Sequence, residues 1–241
     1  MFHPLLKTEA IVIKEEDFGE DSKLFTLYTK NFGKIILLGK AIRKIRAKLR
    51  FGFQILNYIS AEFVIGKNFN IATDAILKDS FWEIKKNFKP LRQGLYICNL
   101  LDSLISGQEK DERIWELLLE TLFFLKRGED KMIRYFDWNL FSLLGFEPEL
   151  YYCARCQEKI KEGKIYFNAK DGGVICFKCY KEDKKDKEVS RDFVKILRLI
   201  INRDKDLFLK LKLNLSHKEE IRKNTQYYLE NIFEERLPFC P

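Results

Sequence analysis

The chain has 241 residues, 46% of them hydrophobic and 21 of them Phe, enough to bury a real core in one large domain or two to three small ones. Its formal charge of +8 and pI near 9.0 suggest a polyanionic partner. No apolar run approaches the roughly 18 residues of a membrane span, and Met1-Phe2-His3-Pro4 lacks the zones of a secretory signal, so a cytoplasmic protein is expected.

Residues 5–80 read as β-rich. Short runs of β-branched and aromatic residues lie at 8–13, 24–28 and 34–38, separated by turn-forming stretches at 17–21 and 31–33, and further candidates follow at 56–65 and 71–77. Five short strands in this length fit a small closed barrel, for which the OB-fold and an SH3-like barrel give much the same pattern. Charge adds a second signal. No acidic residue lies between Asp21 and Glu62, whereas Lys23, Lys30, Lys34, Lys40, Arg43, Lys44, Arg46, Lys48 and Arg50 all do. The last seven start on the third strand and run into the connection after it, a pattern suited to a phosphate backbone. Phe32, Phe51, Phe53 and Tyr58 lie in or beside this block, either as stacking surfaces for unpaired bases or as core.

From Phe81 the period becomes helical. A helix opened by Pro90 runs to Gly107, with Cys98 as a small core residue. Residues 114–125, capped by Asp111, and 132–144, closed by Gly145, are apolar almost all round and so belong at the centre of a helical domain.

Two Cys-x-x-Cys pairs follow, Cys153-Ala154-Arg155-Cys156 and Cys176-Phe177-Lys178-Cys179, with 19 residues between them. Each pair points two thiolates at one ion, and the four together close the tetrahedral shell preferred by structural zinc, leaving no position for a reactive water. Strands at 164–167 and 174–175, joined through Asp171-Gly172-Gly173, would bring the pairs side by side. Disulfides are the competing reading and are disfavoured without a secretory signal. An iron–sulfur cluster would need a spacing unlike this one.

Residues 178–188 alternate in charge as an exposed connection or helix surface would. A helix capped by Ser190 spans 191–202, and a last helix spans 216–235 with Ser216 and Glu219 as a capping box and His217 facing solvent. Cys240 in the tail is expected to be an exposed thiol. The layout is thus 1–80 barrel, 81–150 helical, 151–181 metal-binding insertion and 182–241 helical.

Catalytic signatures do not emerge. The stretch from Gly33 to Ala41 misses a phosphate-binding loop in spacing and in its final hydroxyl. His217-Lys218-Glu219 follows the cysteines, where a zinc deaminase needs it before them. A binding protein is expected over an enzyme.

Leu144-Gly145-Phe146-Glu147-Pro148-Glu149-Leu150, leading directly into Cys153, resembles the bacterial recombination and repair family RecO. So does the opening: Thr8-Glu9-Ala10-Ile11-Val12-Ile13, Phe18-Gly19-Glu20-Asp21-Ser22, Leu24-Phe25-Thr26-Leu27-Tyr28-Thr29 and Phe32-Gly33-Lys34. Phe167 and Gly172-Gly173 ahead of the second cysteine pair also fit, whereas Gln157 stands where such a knuckle often has Gly. The resemblance implies an α+β protein: an N-terminal five-stranded OB-fold barrel followed by an α-helical domain with an inserted four-cysteine zinc hairpin. It further implies binding of single- and double-stranded DNA, annealing of complementary strands, and a nucleoid-associated place in the bacterial cytoplasm. The partners it implies are RecR, single-strand-binding protein and the RecA recombinase. From the residues alone, a zinc-ribbon RNA- or ribosome-associated protein and a metal-dependent nucleic-acid-processing enzyme stay open as alternatives.

Overall fold

A computed structural model describes residues 4–40, 42, 47–182, 185–233 and 241, with residues 47 and 48 described as backbone only. The chain forms two compact units, Met1–Asp130 and Lys131–Pro241.

The first unit is built on five strands: β1 (Leu5–Phe18), β2 (Ser22–Thr29), β3 (Gly33–Gly39), β4 (Tyr58–Val64) and β5 (Asn70–Asp79). They close a barrel in the order β1-β2-β3-β5-β4, which is the OB-fold order. β1 makes closure possible. Its first half pairs with β4 and its second half with β2, bending at a register shift between Val12 and Lys14. Inward alternation puts Ala10, Val12, Phe25, Leu27, Ile35, Leu37, Ile59, Ala61 and Phe63 in one core, joined by Phe53 from the connection. Within the connection between β3 and β4, α1 (Ala47–Gly52) is a short helix that strand periodicity did not foretell. α2 (Trp82–Lys85), α3 (Phe88–Leu104) and α4 (Glu112–Lys126) complete the unit.

Asp111 caps α4 as expected, accepting from the N–H groups of Arg113 and Ile114 at 2.9 and 3.4 Å. α3 begins at Phe88, so Pro90 sits inside the first turn instead of opening it. The first four N–H groups of a helix have no intrahelical acceptor, and proline is tolerated there.

The second unit holds α5 (Met132–Leu143), β6 (Ile165–Asn168), β7 (Gly173–Cys176), β8 (Lys187–Val189), α6 (Arg191–Ile201), α7 (Lys205–Lys210) and α8 (Leu215–Ile232). The expected hairpin forms as β6–β7. Gly172 supplies the positive φ of 75°, and Asn168 Oδ1 binds the N–H groups of Lys170 and Asp171 at 2.9 and 3.0 Å. β8 adds a third strand to β6, pairing Ile165 with Val189, where an exposed connection or helix surface was expected. Ser190 caps α6 as expected, at 3.0 Å from Phe193 N. α7 was not anticipated; Asp204 caps it.

The cap of α8 differs from expectation. Asn214 Oδ1, not Ser216, accepts from the backbone at His217 N, 2.8 Å away. Ser216 and Glu219 already lie within the helix, and Glu219 pairs with Arg222 at 2.9 Å. His217 is only partly exposed, with Nε2 3.6 Å from an Asp192 carboxylate oxygen. The end expected at Glu235 lies outside the described residues, as does Cys240.

Trp138 of α5 centres this core. It is ringed by Phe141, Tyr228 and, from the hairpin, Phe167, at centroid distances of 5.5, 4.9 and 6.1 Å, and its Nε1 donates to Thr225 Oγ1 at 3.1 Å. The run at 144–150 joins α5 to the hairpin by backbone bonds: Glu149 N to Gly172 O at 2.8 Å and Val174 N to Glu149 O at 2.9 Å. This approach leaves no room for a side chain on Gly173, whose Cβ would collide with the Glu149 carbonyl. Among the described residues no helix is long and apolar enough to cross a membrane. Gly173→Ala is expected to lower unfolding free energy by about 1–3 kcal/mol through overpacking, read by denaturant titration.

Candidate metal centre and nucleic-acid interface

The four sulfurs of Cys153, Cys156, Cys176 and Cys179 all lie within 4.8 Å of one another. Cys156 and Cys176 are 3.8 Å apart, the separation that a tetrahedral ion with metal–sulfur bonds of about 2.3 Å requires. None of these four, nor Cys98, is in a disulfide. The first pair is shaped by a tight turn in which Gln157 N donates to Cys153 O at 2.9 Å and Cys153 N donates to Glu158 O at 2.8 Å. Gln157 adopts φ 59°, the left-handed region that favours Gly. Its amide donates to Ala154 O at 3.4 Å, so the turn forms without glycine.

The second pair follows β7 directly, with residues Phe177–Cys179 in a 3₁₀ turn. Cys153, Tyr166 and Ile175 form a small buried cluster, against which Ala154, Ile160, Cys176, Cys179 and Tyr180 pack, and Tyr166 stacks on Tyr180 at 4.0 Å. Burial pushes the Cys153 thiol up, but the N–H groups of Cys156, Cys176 and Arg155 outweigh it and hold the group at about 7. The neighbouring Cys156 thiol and burial push Cys179 up to about 12. The Cys153 thiol therefore ionises readily, whereas burial and the neighbouring thiols oppose ionisation of Cys156 and Cys179 unless a cation joins them. These donors are suited to holding one metal ion.

The basic block is less uniform in space than in sequence. Lys34 leaves β3 to bind Asp102 of α3, with Nζ 2.7 Å from the carbonyl and 3.4 Å from the carboxylate, and its side chain is only 15% exposed. Lys23 lies 3.3 Å from Glu15 of β1. Lys40 and Arg50 are exposed. Arg43, Lys44 and Arg46 lie outside the described residues, and of Lys48 only the backbone, in α1, is described. Arg50, Phe53 and Gln54 line a cavity of about 490 Å³ together with Glu15, Asp17 and Lys23. The acid-free segment thus meets acidic neighbours supplied by β1.

The four aromatic candidates separate clearly. Phe53 is buried and stacked on Phe25 at 4.8 Å, and Phe32 packs edge-on to Phe63. Tyr58 donates to the Glu9 carboxylate. Phe51 is 64% exposed. Its backbone is nevertheless fixed, because buried Asn57 donates through Nδ2 to Phe51 O and Gly52 O at 2.7 and 2.8 Å. Lys85 holds Asn57 from the other side with a 2.5 Å bond to Oδ1, and burial lowers the Lys85 pKa.

Residues 1–81 match the family described as recombination protein O N terminal, and residues 91–238 match recombination protein O C terminal. A curated relative, DNA repair protein RecO of Caldicellulosiruptor bescii, is 32% identical over 97% of this chain and 95% of its own length. The protein of the same name from Dehalococcoides mccartyi is 30% identical, over 93% of this chain and 90% of its own. That from Acetivibrio thermocellus is 28% identical over 95% and 92%.

For the metal centre, Cys176→Ser is expected to abolish stoichiometric metal binding, read by elemental analysis of the purified protein. The Trp138 core should keep its near-ultraviolet signature, because Phe167 is held by Trp138, Phe193 and Tyr228 of the helices as well as by the hairpin.

Proposed function

Because the chain belongs to the recombination protein O (RecO) family of DNA repair proteins, we propose that it is a DNA-binding recombination mediator. It binds single- and double-stranded DNA through the barrel, anneals complementary strands, and assists loading of the RecA recombinase together with RecR on strands coated by single-strand-binding protein. The observation that carries this reading is a closed barrel in OB order from which the basic connection at residues 40–50 emerges, within a chain of that family. Lys40 and Arg50, with Arg43, Lys44, Arg46 and Lys48, neutralise phosphates. Lys34 contributes less, since Asp102 already engages it. Phe51, exposed on a fixed backbone, is the residue suited to stack on an unpaired base.

Cys153, Cys156, Cys176 and Cys179 would hold one zinc ion, whose contribution is to cross-link the two turns. Four sulfur donors leave no open coordination position, so the ion holds structure and does no chemistry. Its place is the bacterial cytoplasm, on the nucleoid.

Replacing Arg43, Lys44, Arg46 and Lys48 together by Ala should reduce the slope of log affinity against log salt by about 0.7 per lost contact, about 3 in all, on single-stranded oligonucleotides. Annealing of complementary oligonucleotides should slow in parallel, and an unchanged slope would remove this connection from the site. Phe51→Ala should weaken single-strand binding by about 1–3 kcal/mol with little change for duplex, whereas Phe51→Trp should retain it. Preference for structured RNA over DNA in competition would instead favour an RNA-binding role.

A further inference from the structure

Between the two cysteines of the first turn, Arg155 reaches under the sulfur cluster into a set of contacts that join four segments of the second unit. Its Nη1 donates to Cys179 O and to Asp186 Oδ2, both at 2.6 Å, and its Nη2 donates to Asp186 Oδ1 at 2.8 Å. Nε donates to Asp171 Oδ2 of the hairpin turn at 2.8 Å. Asp186, whose side chain is 0% exposed, also accepts from Asn168 Nδ2 of β6 at 2.6 Å and from Lys181 N, just past the last cysteine, at 2.9 Å. The fork of Arg155 thus matches the carboxylate bidentately, and both oxygens of Asp186 are satisfied a second time. Removing Arg155 would strand the carboxylate of Asp186, which is closed to water, without its charge partner.

None of these bonds involves a cysteine sulfur. They tie the first cysteine turn to the second, to the strand between them and to the approach to β8 by groups that are present whether or not an ion is bound.

We propose that Arg155 and Asp186 are positioning residues that form a metal-independent latch, holding the two cysteine turns at ligand distance so that the ion can leave and return without the site coming apart. The proposal rests on the zinc reading only for the identity of the ion. In this protein the shape of the site precedes the metal, in contrast to small zinc domains that are unfolded without it. Outer-shell partners of this kind typically set metal affinity by 10- to 100-fold.

The test uses the full chain as wild type, Arg155→Lys and Asp186→Asn, each loaded with zinc and each stripped by chelation under reducing conditions. Arg155→Lys keeps the charge and loses the fork; Asp186→Asn keeps the shape and loses the charge. Both variants should bind zinc about 10- to 100-fold more weakly than wild type and lose it to a chelator faster. Stripped wild type should retain slow amide exchange in β6 and β7 and rebind zinc fully, whereas the stripped variants should exchange quickly around residues 153–156 and 176–181.

Equal rates of zinc loss in all three proteins, or loss of β6–β7 protection in stripped wild type, would overturn the latch. A general loss of stability, with Trp138 fluorescence altered in the loaded variants and zinc loss unchanged, would reduce the pair to an ordinary core contact and also overturn it. Absence of bound metal in the wild type as purified would overturn the zinc reading alone, and amide exchange in the metal-free proteins would still decide the latch.

Discussion

The second unit depends on the two faces of the β6–β7 hairpin. Successive residues of a strand point to opposite sides, and here the sides face different kinds of structure. Tyr166 and Ile175, paired across the hairpin, close over Cys153; their neighbours Phe167 and Val174, also paired, are fully buried, and Phe167 packs against Trp138, Phe193 and Tyr228. The hairpin is therefore a wall shared by a sulfur cluster and a helical core. Dispersion and burial hold one face, and thiols with the Arg155–Asp186 pair hold the other. The approach of residues 144–150 to Gly173 fixes the wall along a third line, and explains why that run leads straight into the first cysteine turn.

In the first unit the corresponding constraint is Asn57. One buried amide takes the carbonyls of Phe51 and Gly52 on one side and the Lys85 ammonium on the other, so the end of α1 is anchored to α2 behind it. Phe53 is drawn into the barrel while Phe51, two residues earlier, is left outside. The same device delivers a core ring and an exposed ring from positions two residues apart, beside Arg50. Charge behaves differently. Asp102 and Glu15 reach Lys34 and Lys23 from elsewhere in the unit, so two cations of the acid-free block are already engaged by carboxylates distant in sequence.

Much of this was legible in the sequence because the signals were local. Strand alternation found all five barrel strands, Asp111 and Ser190 were recognisable as caps, and the cysteine spacing alone brought the four sulfurs together. What escaped depended on distant partners. β8 is three residues, of which only Val189 is apolar, and it becomes a strand because β6 offers an edge. Asn214 and Ser216 are both acceptable caps, and the helix begins two residues earlier than a capping box at Ser216 permits. Asp186 sits among lysines and glutamates in a stretch whose charge pattern reads as exposed, and nothing local distinguishes it as a buried anion. The acid-free block from 22 to 61 was read correctly as a sequence, but linear spacing carries no information about which carboxylates arrive across a barrel.

The barrel's own closure has a consequence in time. β1–β2, β2–β3 and β4–β5 are hairpins between sequence neighbours, whereas β3 meets β5 in parallel only at Leu37 with Asn70 and Leu38 with Ile71. That short seam closes a loop of about thirty residues containing the basic connection, and the pairing of β1 with β4, from Leu5 with Val64 to Ile11 with Tyr58, spans a longer one. Non-local pairings of this kind carry the largest entropic barrier in folding, so the hairpins should assemble first and these two seams last. The connection from Gly39 to Tyr58 joins strands on either side of these seams, so its two ends take their final separation only when the seams close.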